Sequence, residues 1–329
     1  MKQTVLAIGL KGDPHIQAVG LAVVEAGGEY VLFDPSTDDS PLFSQIGDEK
    51  GHWALSKEAD VLDFELVSSV FCRFAIDSVR PDSNLGDVEK FGVLERLQAA
   101  LVPLRSIRPE RWMNDPWLEA RADCKVMQRN LASALGLRTP RQAISSSLDE
   151  LEAYFAGTRC VVKPLSDASF GVTADGAFCE RSILSDRFRA PYTADFDFRV
   201  AREVPSDGTP LLIQERVEKQ ADIRCMVVDD DVHAFVIRYR TGDPIDFRLA
   251  PLTDVKTITL SRETNTALVS LNQEMGIRFS ACDLILSQGG DEVFLEANVS
   301  GNWLFCDIHH NMSVTRDVAR KLLTGNFPE

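Results

Sequence analysis

The 329-residue chain has no C-x-x-C pair, no G-x-S-x-G, and no G-x-G-x-x-G after its first apolar segment. Each absence excludes something. Its seven cysteines (Cys72, Cys124, Cys160, Cys179, Cys225, Cys282 and Cys306) are scattered and odd in number. That excludes a disulfide framework or a thiolate zinc site and suits reduced thiols in a cytoplasm. Cys160 in RCVVKP and Cys282 in FSACDLIL read as small buried hydrophobes. The missing serine elbow leaves hydrolase chemistry without support. No apolar run approaches the roughly 18 residues that a membrane span needs. The opening TVLAIGL is too short for a signal segment and runs into charged KGD, so it reads as a first strand. Histidines number only five: His15, His52 and His233 are isolated, and the side chains of adjacent His309 and His310 diverge, so structural or surface roles are expected. Positive charge is also short: 35 Lys plus Arg against 50 Asp plus Glu give a net charge of −15. Such a surface repels phosphate backbones and excludes general nucleic-acid binding, although one cleft can still be basic.

What is present is a chain 44% hydrophobic and 26% charged, enough for real cores and long enough for two or three lobes. Residues 4–10 read as a strand, 15–26 as a helix stopped by Gly27 and Gly28, and 29–34 as a second strand. This βαβ start predicts a parallel, Rossmann-like lobe. SSVFCRF (68–74) reads as a further strand and 87–101 as a helix. RSIRPERWMNDPW (105–117) marks a lobe boundary, bracketed by Trp112 and Trp117, which are expected to pack there. One long helix is predicted over about 119–135, a capped helix over 147–157, and a strand over 159–165. Residues 166–190 read as a loop. PLLIQERV (210–217) is a strand leaving through a hinge near 214–218, and 223–240 and 279–301 are hairpins. A last helix is predicted near 313–323.

The second hairpin carries the chemistry. Glu296 and Asn298 lie two apart, so they share a strand face, and the turn at 287–291 folds Asp283 back towards them. Carboxylates set among apolar neighbours are costly unless paired or on a metal. A hard cation such as Mg²⁺, with phosphate oxygens completing its shell, suits these oxygens. From the hairpin alone, a solvated face of an edge hairpin is an equal reading. Lys125 near a helix start and Lys163 at the end of the apolar strand CVVKP shift the balance towards phosphate binding, against simple snorkelling. The small residues of SDASFGVT (166–173), Ser169 among them, would let backbone N–H groups approach a phosphate. LLIQERVEK would offer backbone groups to an adenine, and Asp222 could accept from ribose hydroxyls. Arg224, Arg238, Arg240 and Arg248 sit on or beside the first hairpin. There they could steady an anionic intermediate, although each taken singly reads as a surface arginine.

In this order the residues resemble the ATP-grasp superfamily over about residues 110–310. RWMNDPWLEARADCKVMQRNLASALGLRTP, QERVEKQADIRCMVV and FLEANVSGNW are similar to the peptide-maturing ligases that build graspetides, the microviridin-type macrocyclases. The sequence departs from many relatives at Val299 and Ser300. The resemblance implies an α/β and α+β protein: an N-terminal Rossmann-like pre-ATP-grasp domain (1–112), a central ATP-grasp lobe (113–213) and a C-terminal lobe (214–329) with the Mg²⁺ hairpin. It implies ATP and Mg²⁺ as cofactors. Lys125, Lys163 and Ser169 would hold phosphates, Gln214, Glu215, Arg216 and Val217 adenine, and Asp222 ribose. Asp283, Glu296 and Asn298 would hold the metal, with Arg224, Arg238 and Arg248 facing an acyl phosphate. The implied activity is ligation through that acyl phosphate, macrocyclising a precursor peptide (leader plus core) through Asp/Glu side chains. Joining of free amino acids, or addition of one to a peptide or protein, is the alternative within the same chemistry. A non-catalytic nucleotide-binding scaffold is the alternative outside it. Neither nucleic acid nor membrane is an expected partner; the cysteine pattern predicts a cytoplasmic protein, and a homodimer is an expectation from the resemblance.

Overall fold

The computed structural model describes residues 2–34, 42–44, 52–54, 61–63, 67–73, 86–163, 165, 170–172, 178–180, 193–203, 208–238 and 254–324. The chain opens with β1 (Thr4–Ile8), α1 (Pro14–Glu25) and β2 (Glu29–Phe33). Asp13 caps α1 by accepting from His15 N, and Pro14 occupies the first helical turn, where its missing N–H costs nothing. Ile16, Val19, Gly20 and Val23 form the buried stripe. Gly20 is required there: a Cβ would stand 2.6 Å from the Tyr30 ring, which lies against the helix. Three short strands follow, β3 (Leu42–Ser44), β4 (His52–Ala54) and β5 (Val61–Asp63), then β6 (Val67–Cys72), α2 (Asp87–Leu101) and β7 (Trp112–Met113). β2, β1, β6 and β7 make a parallel four-stranded sheet in that order, as the βαβ start predicts. Trp112 and Trp117 pack edge to face at 5.6 Å.

The single helix expected over 119–135 is two, α3 (Pro116–Ala122) and α4 (Lys125–Ala134). Asp115 caps the first, and Cys124 precedes the second. At the break the Ala122 carbonyl accepts from the Gln128 side chain, 2.8 Å away, so a side chain fills a backbone role there. Then come β8 (Gln142–Ser145), α5 (Leu148–Tyr154) with Ser147 as its cap, and β9 (Cys160–Lys163). The stretch read as a loop contains a two-stranded ribbon, β10 (Phe170–Val172) against β11 (Phe178–Glu180). β12 (Ala194–Phe196), α6 (Phe198–Arg202) and β13 (Leu211–Glu215) complete a sheet of order β12-β9-β13-β8. One of its faces packs on α5 and α6 through Leu151, Phe155, Val162 and Ile213.

The third unit is a five-stranded antiparallel sheet, β16-β15-β14-β17-β18. Its strands are β14 (Lys219–Val228), β15 (Asp231–Arg238), β16 (Asp254–Thr257), β17 (Phe279–Ser287) and β18 (Glu292–Asn298), with α7 (Arg262–Met275) between β16 and β17. Both predicted hairpins are present, the first starting four residues earlier than expected. α8 (Leu304–Asp307) and α9 (Ser313–Thr324) end the chain. One sheet face packs on α4 and α7 through Ile223, Cys225, Leu268 and Phe294. The other packs on α9, Trp303 and the N-terminal α1 through Met226, Phe279 and Val318.

Buried Asn114, between β7 and α3, joins two of these units. Its amide donates to the carbonyls of Phe279 (2.8 Å) and Val299 (3.0 Å) and accepts from the N–H groups of Arg278 and Phe279 (2.8 Å each). Asn114→Ala removes the partner of all four backbone groups. Unsatisfied buried groups cost about 1–3 kcal/mol each, so urea unfolding should show a loss of about 3 kcal/mol or more.

Candidate active site

Alternation along β14 puts Asp222 and Arg224 on one face with Met226. Register then sets Arg224 opposite Asp283, and Asp283 opposite Glu296, in a row across three strands. Asn298 pairs with Ala281 and joins the same face. A bulge makes this compatible with the core. Asp283 faces Glu296 but Leu284 faces Phe294, so Leu295 is the extra residue. It turns Phe294 into the α4–α7 core while Glu296 stays on the opposite face.

The row is tightly bonded. Arg224 Nη1 donates to Asp283 Oδ1 at 2.7 Å, both side chains being largely buried. Asn298 Nδ2 donates to Asp283 Oδ2 (3.0 Å) and to Ala281 O (3.2 Å), so Oδ1 is the atom of that amide suited to a cation. Lys125, the first residue of α4, holds its ammonium 3.6 Å from Glu296 Oε2. Asp222 Oδ2 accepts from Lys219 Nζ at 2.7 Å. Among the described residues no three His, Cys, Asp or Glu side chains assemble as a metal centre. The donor set here is two carboxylates and an amide oxygen, an oxygen-only set that suits a hard cation sharing ligands with phosphate.

Lys163 and Gln214 occupy the central sheet, on the face turned away from the α5–α6 core, and both are buried. Gln214 Nε2 donates to Gln142 Oε1 at 3.1 Å. The next residues leave the sheet through backbone bonds: Glu215 N to Arg141 O and Arg216 N to Arg159 O, 2.8 Å each. Arg216 pairs with Asp195 at 2.5 Å. Val217 lies just before β14. Arg238 is not brought to the row. Three residues on from Phe235, which is opposite Arg224, it falls on the other sheet face, half exposed and 3.6 Å from Asp254. Ser169, Arg240 and Arg248 lie outside the described residues.

The loop after β18 receives side chains that local sequence patterns do not single out. Arg224 Nη2 donates to Asn302 O at 2.9 Å. From the N-terminal sheet, Arg73 donates to Ser300 O (3.1 Å) and to Asn302 Oδ1 (3.0 Å), with Asp13 on its Nε at 3.2 Å. His15 Nε2 accepts from Trp303 N at 3.1 Å, which puts the ring proton on Nδ1, facing Asp13 at 3.1 Å. Burial lowers the pKa of His15, outweighing the opposing bond to Asp13. Burial would raise Asp13, but the bonds and charges of His15 and Arg73 overcome it and hold the carboxyl well below its usual range. Trp303 is fully buried, its Nε1 donating to Thr315 Oγ1 at 3.1 Å, so it packs beneath the row rather than lining a cleft. On the other side of the loop, Glu119 accepts from Ser300 Oγ at 3.0 Å.

Residues 203–324 match the model of a family described as the RimK-like ATP-grasp domain. No curated protein matches the chain. Among solved structures, a RiPP-associated ATP-grasp ligase of Chryseobacterium gregarium, in complex with ADP and a leader and core peptide, superposes with TM-score 0.81 at 19% identity, covering 99% of this chain and 98% of that one. The chain has the ATP-grasp fold. The macrocyclase MdnC of Microcystis aeruginosa MRC, bound with precursor peptide MdnA, gives TM-score 0.79 at 18% identity over 98% and 99% of the two chains. The ATP-grasp ligase PsnB, complexed with a phosphomimetic variant of a minimal precursor, Mg and ADP, gives 0.71 at 19% identity over 99% of each.

Burial pushes the Glu119 carboxyl up to about 7, against the hydrogen bonds from Ser300 and Asn114 and the nearby Arg73 charge. The folded protein therefore holds this proton more tightly than the unfolded chain. The stabilisation is complete below the unfolded value of 4.5 and is lost as pH rises through about 7. Glu119→Gln should raise the thermal midpoint at about pH 8, and the gain should shrink towards about pH 5. A gain independent of pH would contradict this placement of the carboxyl.

Proposed function

We propose that the protein is an ATP-dependent ligase that activates a carboxylate as an acyl phosphate and joins it to an amine or hydroxyl. Its substrate is a precursor peptide, cross-linked within its core through Asp/Glu side chains. The observation that carries the reading is the row Arg224–Asp283–Glu296 with Asn298 and Lys125 at one sheet face. Support for the peptide comes from the similar structures, which match this chain over essentially their whole lengths and hold precursor peptides, two of them with ADP and one with Mg.

In this reading Asp283, Glu296 and Asn298 hold Mg²⁺, which when bound neutralises phosphate charge. Lys125 and Lys163 reach the ATP phosphates as mobile point charges. Gln214, Glu215, Arg216 and Val217 present backbone groups to adenine, and Asp222 meets the ribose. A substrate carboxylate oxygen bonds to the γ-phosphorus as ADP leaves. An amine or hydroxyl then attacks the acyl carbon, losing its proton, and phosphate departs. Arg224 steadies the charge that develops on the acyl oxygen, held for that task by Asp283 and the Asn302 carbonyl. The chain itself supplies position and charge and needs no covalent nucleophile. Ser169 and Arg248 keep the roles that the resemblance implies for them, and Arg238, on the other face, has none here.

The reading carries a cytoplasmic setting, in keeping with the free thiols of Cys72, Cys124, Cys160, Cys225, Cys282 and Cys306. It also carries a homodimer, for which the support is resemblance alone. No helix among the described residues is long and apolar enough to cross a membrane.

Glu296→Gln should abolish peptide-dependent ADP release while circular dichroism stays unchanged. Release near the wild-type level would sink the metal assignment. Mass spectrometry of the peptide encoded beside the gene should show loss of one water per ring formed, whereas a mass gain would indicate amino-acid addition. Gly301 offers a second test, because a Cβ there would stand 2.6 Å from Arg224 Nη2 and 2.5 Å from Ala281 Cβ. Gly301→Ala should displace the guanidinium and lower ADP release by about 10²-fold, the scale of a misplacement near 1 Å.

A further inference from the structure

We infer that Gln128 is a positioning residue for the metal: its amide fixes the backbone between Glu296 and Asn298. The inference rests on the Mg²⁺ reading of the site. β18 ends the five-stranded sheet, so among the described residues its outer N–H and C=O groups have no neighbouring strand. At Ala297, between two of the three proposed ligands, Gln128 takes that strand's place. Its Oε1 accepts from Ala297 N at 2.9 Å, and its Nε2 donates to Ala297 O at 2.7 Å. The same Nε2 donates to Ala122 O at 2.8 Å, which ties the clasp to the end of α3. Gln128 is buried, so solvent is not at hand to replace these bonds.

The placement on α4 adds a second constraint. Gln128 lies three residues after Lys125, on the same helix face. One side chain thus grips Ala297 while the other reaches the neighbouring Glu296. The helix that carries the phosphate lysine and the strand that carries the ligands are held in one register by one planar amide. A second bond on this edge, Phe294 N to Arg138 O at 2.8 Å, is purely backbone and precedes the bulge at Leu295. Among the described residues, the clasp is what bonds this edge between the bulge and Asn298, where the ligands stand; the next bond, Asn114 to Val299 O at 3.0 Å, lies past them. Glutamate in its place could still accept from Ala297 N, but its other oxygen would face two carbonyls.

The test is Mn²⁺ binding, followed by electron paramagnetic resonance on the full chain with ADP, for Gln128→Glu and Gln128→Met. Partners that orient metal ligands typically govern 10–100-fold in affinity, so Mn²⁺ should bind at least about tenfold more weakly. ADP affinity in EDTA should stay within about twofold, and thermal unfolding should stay cooperative. Gln128→Glu keeps the size and one bond of the amide, and it carries the test if Gln128→Met does not fold. Wild-type Mn²⁺ affinity in a folded variant overturns the inference. So does an equal loss of Mn²⁺ and metal-free ADP binding, which would mark general loosening. If the wild-type protein with ADP takes up no Mn²⁺, the Mg²⁺ reading itself fails, and the inference falls with it.

Discussion

Arg224 and Asp283 face each other across β14 and β17 with little access to water. Burying an ion pair costs several kcal/mol per charge, recovered only when the remaining donors and acceptors are also met. Here most are met. Asp283 takes Arg224 on one oxygen and Asn298 on the other, and the second arm of Arg224 reaches Asn302 O. One atom, Arg224 Nε, is buried without a partner among the described residues. Hydrophobic pairs often stabilise such positions as well as ion pairs do, so the charges are better explained by what they hold in place. They fix Asn298 against Asp283, and they draw in the loop at 300–302.

That loop is where the N-terminal sheet meets the C-terminal one. Arg73 and His15 bond its backbone from one side, Arg224 from the other. Two guanidinium groups thus grip one short segment immediately after the proposed ligand strand, and at Gly301 a Cβ would meet Arg224 Nη2 and Ala281 Cβ. The crevice at the carboxyl ends of β1 and β6, where open parallel sheets commonly take ligands, receives this loop and Trp303. The N-terminal unit therefore braces the site from outside the matched RimK-like region of residues 203–324.

Much of this was legible in the sequence wherever the evidence is local. Period-two spacing set Glu296 and Asn298 on one face, and the Gln-Gly-Gly-Asp turn returned Asp283 to them. Apolar spacing over 15–26 announced α1, and of the two starts open for the helix at 147–157, Ser147 or Asp149, the cap is Ser147. The failures have physical causes. Apolar spacing continues through Asp123 and Cys124, so the break between α3 and α4 is invisible until Gln128 is seen to occupy the Ala122 carbonyl. Arg238 looked like a companion of Arg224, but facing depends on strand register, and an odd count from Phe235 puts it on the other side. The bulge at Leu295 leaves no compositional trace. His15 and Trp303 are 288 residues apart, and no local pattern joins them.

Taken together, the fold places a basic helix start, a buried Lys163 and an oxygen-rich sheet face where a nucleotide and a hard cation would be handled. The most direct measurement is a crystal structure of the protein with ADP and Mg²⁺. The account predicts a cation about 2.1 Å from oxygens of Asp283, Glu296 and Asn298, and diphosphate within reach of Lys125 and Lys163. ADP bound away from this face, or a cation held without Glu296 and Asn298, would contradict it.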